Sequence, residues 1–571
     1  MDRGGGRLRQ PSPHPRRGKA MIDAVTIEVL RNKVAGLTDE MHYHFYRSGY
    51  STIIRESRDF SCVILDRDGR LITAPPMFFH GTVYRHFCAR VLELYGDTMR
   101  PGDVFVSNHP YEAGLPHVSD MGFVAPIFAG ERLIGFSGSI AHKADIGGTM
   151  PGSTSATATE IFHEGLLLPP VRIRAGGAPC LDIDRLILAN SRQPELVAGD
   201  IGAQVAATCM GVARMEQLAE RFGADIVCEA FAAILTGATD ELAAAIAALP
   251  EGAARAEGFM DSDGVEIDRM IRMAVNVTVK GGRVLFDFSD SDEQARGPIN
   301  LRPSMVEACC FYSLIGCLGP DIHFNDGCRD VVDFRYAPGT ITNATAPAPV
   351  SSYQMANLKL VDVILQALSH FRPERAVANA GSSGALGINW GKGARPGQSS
   401  LQYEILGSAY GGGHGHDGAS CTATHLSNLH VTPIEILESE FPVRVSAFEL
   451  IPDSGGAGEF RGGLSFRRAY EMLSDGMVIR RYDRAKCPPQ GIKGGKPGRA
   501  SRFVIKAGTV EERETPASGR FDLRAGDRFF LESAGGGGYG DPVGRDRKRV
   551  ERDIAEGYVT PETAKRDYGA A

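Results

Sequence analysis

Two β-prone runs, Met121 to Phe128 (MGFVAPIF) and Leu133 to Ile140 (LIGFSGSI), are separated by little more than Ala-Gly-Glu-Arg. A connection that short and rich in turn formers predicts an antiparallel hairpin. A hairpin returns the chain to its starting edge, so residues just before the first strand become neighbours of those just after the second. His117-Val-Ser-Asp120 lies before it and His142-Lys-Ala-Asp145 after it. His117, Asp120 and His142 are therefore expected to converge.

Two imidazoles and a carboxylate form a three-ligand set with positions left open, the pattern of a catalytic divalent metal and not of a closed structural one. Zinc, manganese and iron all suit such a set. The competing reading is that these residues cap turns, with His142 hydrogen-bonded beneath the hairpin. A second group, His414, His416, Asp417, His425 and His430, offers ligand types too, but His414 and His416 flank a glycine that leaves their geometry unspecified.

A chain of 571 residues, 43% hydrophobic and 23% charged, has room for about two to four domains. Its net charge of −7 gives no global reason to bind nucleic acid or an anionic membrane. The eleven cysteines contain no C-x-x-C pair, which points to reduced thiols and a cytoplasmic location. No uninterrupted apolar run reaches the roughly 18 residues that span a bilayer.

Residues 1–20 are basic, rich in Gly and Pro and without apolar periodicity, so a disordered tail is expected, with Met21 an alternative start. A metal-site domain with a helical layer is expected over 21–252, a middle α+β domain over 253–375, a Gly-rich β domain over 376–544 and a charged helical tail over 545–571. The fold class is thus α+β, a multi-domain mixed chain. Within it, Ala24 to Phe45 should be an amphipathic helix burying Val25, Val29, Val34 or Leu37, and Met41. Phe60 to Leu71 reads as a hairpin around Asp66-Arg-Asp-Gly69. Helices are expected over 183–195, 200–222, 224–249, 304–317 and 355–370, and strands between 256 and 292 that include Ile267.

Two glycine runs, Gly413 to Gly418 and Gly535 to Gly540, fit G-x-G-x-x-G by letter, yet neither opens a helix after a strand in a βαβ unit. No G-x-x-x-x-G-K-S/T loop occurs, so no nucleotide site is assigned to this chain. Close backbone approach is the expected use of these glycines. There is also no G-x-S-x-G elbow and no H-E-x-x-H pair.

The blocks RDFSCVILDRDGRLI (58–72), SNHPYEAGLPHVSD (107–120), AHKADIGGTMPGS (141–153), EIFHEGLLLPPVRI (160–173), GPIN (297–300), TPIEILE (432–438), DSGGAGEFRGGL (453–464) and SAGGGGYGDP (533–542) resemble the hydantoinase B/5-oxoprolinase family in the same order. The likeness runs from about Ile22 to Tyr568. It departs at Lys143, where the family commonly has a second His, and at His109, where Asp is commoner.

The resemblance implies a metal-bearing subunit whose ligands fall on His117, Asp120 and His142. It further implies a hydantoinase A-type, actin-like ATPase partner that uses ATP to activate a carbonyl. The substrate would be a small cyclic amide such as a hydantoin, 5-oxoproline or a lactam. The alternative is the large subunit of an acetone- or acetophenone-type ketone carboxylase; a non-enzymatic metal scaffold is a third reading. His80 aligns with a family block near the site. Asp145 is expected to orient a ligand imidazole or act as base. Glu160 and Glu164, on one face if that segment is helical, are candidates for general acid/base, or else a solvated face.

Overall fold

A computed structural model of the chain describes residues 22–391, 400–426 and 428–569. The basic tail expected over 1–20 lies outside the described residues. The first helix, Ala24–Ser48, starts where the Asp23 side chain accepts the Thr26 N–H at 3.0 Å. It buries Leu30, Val34, Leu37, Met41 and Phe45. Val25 and Val29, expected on that stripe, are exposed. Val29 sits about 100° round the helix from Leu30, which carries it off the buried face.

The N-terminal sheet contains β1 (Phe60–Asp66), β2 (Val104–Ser107), β3 (Asp120–Ala129), β4 (Arg132–His142), β5 (Val171–Ala175) and β6 (Ala178–Pro179), in spatial order β1-β4-β3-β2-β5-β6. The β3–β4 hairpin forms as its sequence predicts, with Gly130 at φ +65° in the turn. The expected Phe60–Leu71 hairpin does not form. β1 pairs instead with β4, Phe60 opposite Ala141 through Asp66 opposite Gly135, and only an isolated bridge joins Leu65 to Leu71. All seven residues of β1 are buried, and a strand apolar on both faces needs layers above and below, which a lone hairpin cannot supply.

Helices cover both faces of this sheet. On one side Ala24–Ser48, Pro194–Phe222 and Ala224–Ala247 share a core with β1 and β4. The latter two are long and apolar enough to cross a membrane by length and composition; here they pack on the sheet, and the first carries buried Asp200 and Gln204. On the other side Gly81–Tyr95 packs on Pro303–Leu318, which packs on Tyr353–Leu368.

That last helix also lies on a second sheet of β7 (Gly252–Met260), β8 (Ile271–Lys280), β9 (Arg283–Asp287) and β10 (Val332–Arg335), ordered β10-β9-β8-β7. Ile267, expected in a strand, lies in the β7–β8 connection and is half exposed.

The C-terminal half holds two further sheets. One has the spatial order Leu401–Leu406, Gly384–Asn389, Gly476–Arg481, Gly519–Leu523. The other runs Val443–Leu450, Phe466–Met472, Arg528–Glu532, Arg502–Ile505, Arg513–Glu514. Beside them, glycine-rich segments pack backbone on backbone. Gly536 N–H donates to Gly463 O, Gly537 N–H to Asn379 O and Gly538 N–H to Lys496 O, while Gly412 N–H donates to Gly537 O. A Cβ on Gly536 would stand 1.9 Å from the Tyr410 carbonyl oxygen, and one on Gly462 1.9 Å from that of Gly536. Only hydrogen fits there.

The charged tail forms two short helices, Arg547–Ala555 and Pro561–Tyr568. It is anchored by Arg545, whose buried guanidinium pairs with Asp417 at 2.6 Å and Asp553 at 2.7 Å.

Candidate metal centre

Register builds the site. Asp120 opens β3 and His142 closes β4, and the two residues are direct cross-strand partners. The turn before β3 is closed by the Asp120 N–H donating to His117 O, which brings the His117 ring over the same carboxylate. Asp120 Oδ1 lies 3.1 Å from His117 Nε2 and 3.2 Å from His142 Nδ1. One potential ligand atom from each of the three residues falls within 4.8 Å of the others, and all three side chains are buried.

Two more residues complete the cluster. His80 ends a short 3₁₀ turn, Phe78–His80, and its Nε2 stands 3.7 Å from Asp120 Oδ2 while its Nδ1 meets Ser61 Oγ at 2.9 Å. Asp59, not singled out from sequence, precedes β1. The β1–β4 pairing delivers it to the centre: Asp59 O accepts the His142 N–H, and Asp59 Oδ2 is 4.0 Å from His142 Nδ1. The signal for Asp59 is long-range strand register, which no local pattern around residue 59 reveals.

Electrostatics favour a cation-binding state. Burial lowers the His117 pKa, more than Asp120 raises it, so its imidazole is held neutral and has a lone pair to give. Burial would raise Asp120, but His117, His142 and His80 more than offset it and hold that carboxyl well below its usual range. Burial raises Asp59, partly countered by His142. His117 Nδ1 and His142 Nε2 are buried without hydrogen-bond partners among the described residues. A neutral imidazole, a second buried imidazole and an ionised carboxylate facing one point fit a divalent metal.

The centre opens on a cavity of about 20 Å³. Its far wall comes from Ser352, Tyr353 and Met355 at the start of helix Tyr353–Leu368 and from Tyr403 and Arg481 of the C-terminal sheet. The Tyr403 ring stacks on His142 with centroids 5.0 Å apart, and Tyr353 meets His117 edge-on at 5.0 Å. Arg481 donates to the Tyr403 hydroxyl and, at 2.6 Å, to Ser351 O.

The other expected site residues are placed differently. Asp145 is buried, and its carboxylate accepts N–H groups from Gly147, Gly152 and Arg192 and pairs with the Arg192 guanidinium at 3.0 Å. It holds the 145–152 loop together instead of orienting a ligand imidazole. Glu160 and Glu164 share no helical face, because only a 3₁₀ turn, Ile161–His163, lies between them before Gly165 at φ +145°. Glu160 is exposed. Glu164 is fully buried; its Oε1 accepts the Val350 and Ser351 N–H groups at 2.6 and 2.7 Å, and burial pushes its pKa up to about 8. Lys143 is buried and donates to Ala141 O and to Gln204 Oε1 at 2.6 Å. The second histidine group does not assemble as a metal cluster among the described residues. Asp417 pairs with Arg545, His425 with Asp362, and His414 packs on Phe460 and Tyr539.

This arrangement of sheet, helices and buried His-Asp-His centre has relatives. The family model for hydantoinase B/oxoprolinase matches residues 23–542, so the chain belongs to that family. It is 30% identical to a D-/L-hydantoinase subunit of Pseudomonas sp. (strain NS671), over 96% of this chain and 95% of the relative. The crystal structure of an ATP-dependent caprolactamase from Pseudomonas jessenii superposes with a TM-score of 0.88 at 26% identity, covering 96% of each chain. A nucleotide-free acetone carboxylase structure superposes at 0.87 with 18% identity, covering 96% of this chain and 79% of that one, and shows the shared fold.

Proposed function

We propose that this chain is the metal-binding subunit of an ATP-dependent cyclic amide hydrolase acting on a hydantoin, 5-oxoproline or lactam ring. Its partner is a hydantoinase A-type ATPase subunit that activates the ring carbonyl. The buried His117–Asp120–His142 centre, facing a cavity, carries the reading. The amide-ring direction rests on relatives at 26–30% identity named for hydantoin and caprolactam, whereas the ketone carboxylase is matched at 18%.

A divalent ion held by His117, Asp120 and His142 supplies Lewis acidity for attack on an activated carbonyl. The chain's own residues do the rest. His80 and Asp59 flank the ligand set and fix how Asp120 and His142 present themselves. The Tyr403 ring fixes the plane of His142. Across the cavity, the start of helix Tyr353–Leu368 and the Arg481 guanidinium form a positive flank for charge developing on the amide oxygen. Glu164 holds the 350–351 corner from which that helix begins.

The test is metal analysis of the purified chain together with an ATP-coupled assay of the chain co-expressed with its ATPase. About one divalent ion per chain is expected, lost in His117→Ala and in His142→Ala. Unchanged stoichiometry in both variants overturns the metal assignment; ketone carboxylation without ring opening transfers the chain to the carboxylase class.

A further inference from the structure

The metal cavity, at about 20 Å³, accommodates a water-sized group and not a ring. A second cavity, of about 560 Å³, lies further along the same helix. Tyr353 faces the metal centre, while Asp362 and Leu365 of that helix serve the second cavity, roughly 14 Å along the axis from Tyr353 to Asp362. One 3₁₀ turn links the two from the other side, since Phe78 lines the second cavity and His80 stands against Asp120.

Its walls are mostly apolar, from Phe78, Ile315, Leu365 and Val377, and its size is that of a small-molecule site. The polar groups are few and specific. His425 lines the cavity and is 4% exposed; its Nε2 lies 3.3 Å from Asp362 Oδ1 and its Nδ1 has no partner among the described residues. Asp362 Oδ2 is paired with buried Arg484 at 2.6 Å. A carboxylate only accepts, so the proton of a neutral His425 belongs on Nε2 and Nδ1 is left as an acceptor.

Tyr410 Oη accepts the His425 backbone N–H at 2.7 Å and sits 3.4 Å from Tyr312 Oη. With the Tyr410 hydroxyl turned to Tyr312, the Tyr312 proton is free to donate into the cavity. The His425 and Tyr312 rings are 5.7 Å apart, so an acceptor and a donor stand side by side. His425 and Leu426 hold this geometry at φ +50° and +32°, a backbone region that non-glycine residues adopt only when their surroundings impose it.

We propose that this cavity binds a neutral cyclic amide, with His425 Nδ1 accepting the ring N–H and Tyr312 Oη–H donating to the ring carbonyl. A lactam's amide is locked cis, which places its N–H and C=O on one edge, as this pair requires. A ketone has the carbonyl but no N–H, and a tertiary lactam likewise lacks the donor. The choice of a cyclic amide rests on the proposed hydrolase function, while the donor–acceptor pair rests on the cavity alone.

Calorimetry and ligand-observed NMR on the full chain, with 2-piperidone, N-methyl-2-piperidone and cyclohexanone as probes, test the assignment. The secondary lactam should bind at least about tenfold more tightly than either analogue, and Tyr312→Phe or Leu365→Trp should weaken it by about tenfold or more. Removing metal with a chelator should leave binding unchanged. No binding of 2-piperidone, equal affinity for all three probes, or binding lost with the metal overturns the proposal. The two readings fail separately. A lactam-hydrolysing complex whose chain binds no 2-piperidone removes this site alone, and a chain that binds 2-piperidone but no metal removes the metal function alone.

Discussion

Asp120 and His142 are opposite one another in the β3–β4 ladder, with Oδ1 3.2 Å from Nδ1, so a strand register that also sets which residues face the core fixes the metal-binding pair. A one-residue slip would turn both side chains to the opposite face. The hairpin is thus the ruler for the site.

Asp59 reaches the same centre through β1, and its replacement separates ligand from support. Asp59→Asn keeps the volume and the backbone bond to His142 but removes the charge 4.0 Å from Nδ1. Metal affinity should fall about 10–100-fold with the fold intact, read by competition with a chelator and by circular dichroism. Unaltered affinity would remove Asp59 from the centre.

Glu164 makes stability depend on pH. Its folded pKa of about 8 lies above the ordinary value of 4.5, so between those limits the folded chain holds a proton that the unfolded chain has released. Stability attributable to this group therefore falls as pH rises through that window, by at most about 1.4 kcal/mol per pH unit. In Glu164→Gln, which still accepts from Val350 and Ser351, the melting temperature should vary less between pH 5 and about 8. Parallel curves for the two proteins would contradict the buried, protonated carboxyl.

The glycine bundle should tolerate almost no side chain. Gly536→Ala places a methyl 1.9 Å from Tyr410 O and is expected to abolish soluble expression. Gly36→Ala provides the contrast, since it is exposed in the first helix with nothing within 4 Å of the new Cβ. That variant should gain about 1 kcal/mol from helix propensity, seen as a higher melting temperature.

Arg545 tests how the tail is held. Arg545→Leu would leave Asp417 and Asp553 without this partner in a buried setting, a change costing about 3–5 kcal/mol. Limited proteolysis should then cut within 546–569 far faster than in the unaltered chain. Equal cleavage rates would show that the apolar contacts of Val550, Ala564 and Tyr568 suffice.

Local pattern carries much of this molecule. The β3–β4 hairpin and the meeting of His117, Asp120 and His142 follow from two apolar runs and a short turn, and the long helices from their periodicity. What local pattern misses depends on distant partners. β1 resembles half of a hairpin because Asp-Gly follows it, but burial on both faces gives it to β4, and with it Asp59 to the site. Glu160 and Glu164 have the spacing of one helical face, but Gly165 ends the turn. The His425 cavity draws on residues from 78 to 425, a span that no motif covers.

The glycine bundle also limits how this region can change over generations. In an ordinary core, an enlarged residue can be accommodated by a smaller neighbour, so sequences drift through paired substitutions. Here the neighbours of Gly462 and Gly536 are carbonyl groups of other segments, which cannot be made smaller by mutation. Genetic screens for second-site suppressors of Gly536→Ala should accordingly return only true revertants. For this part of the chain, the heritable instruction is the omission of every side-chain atom.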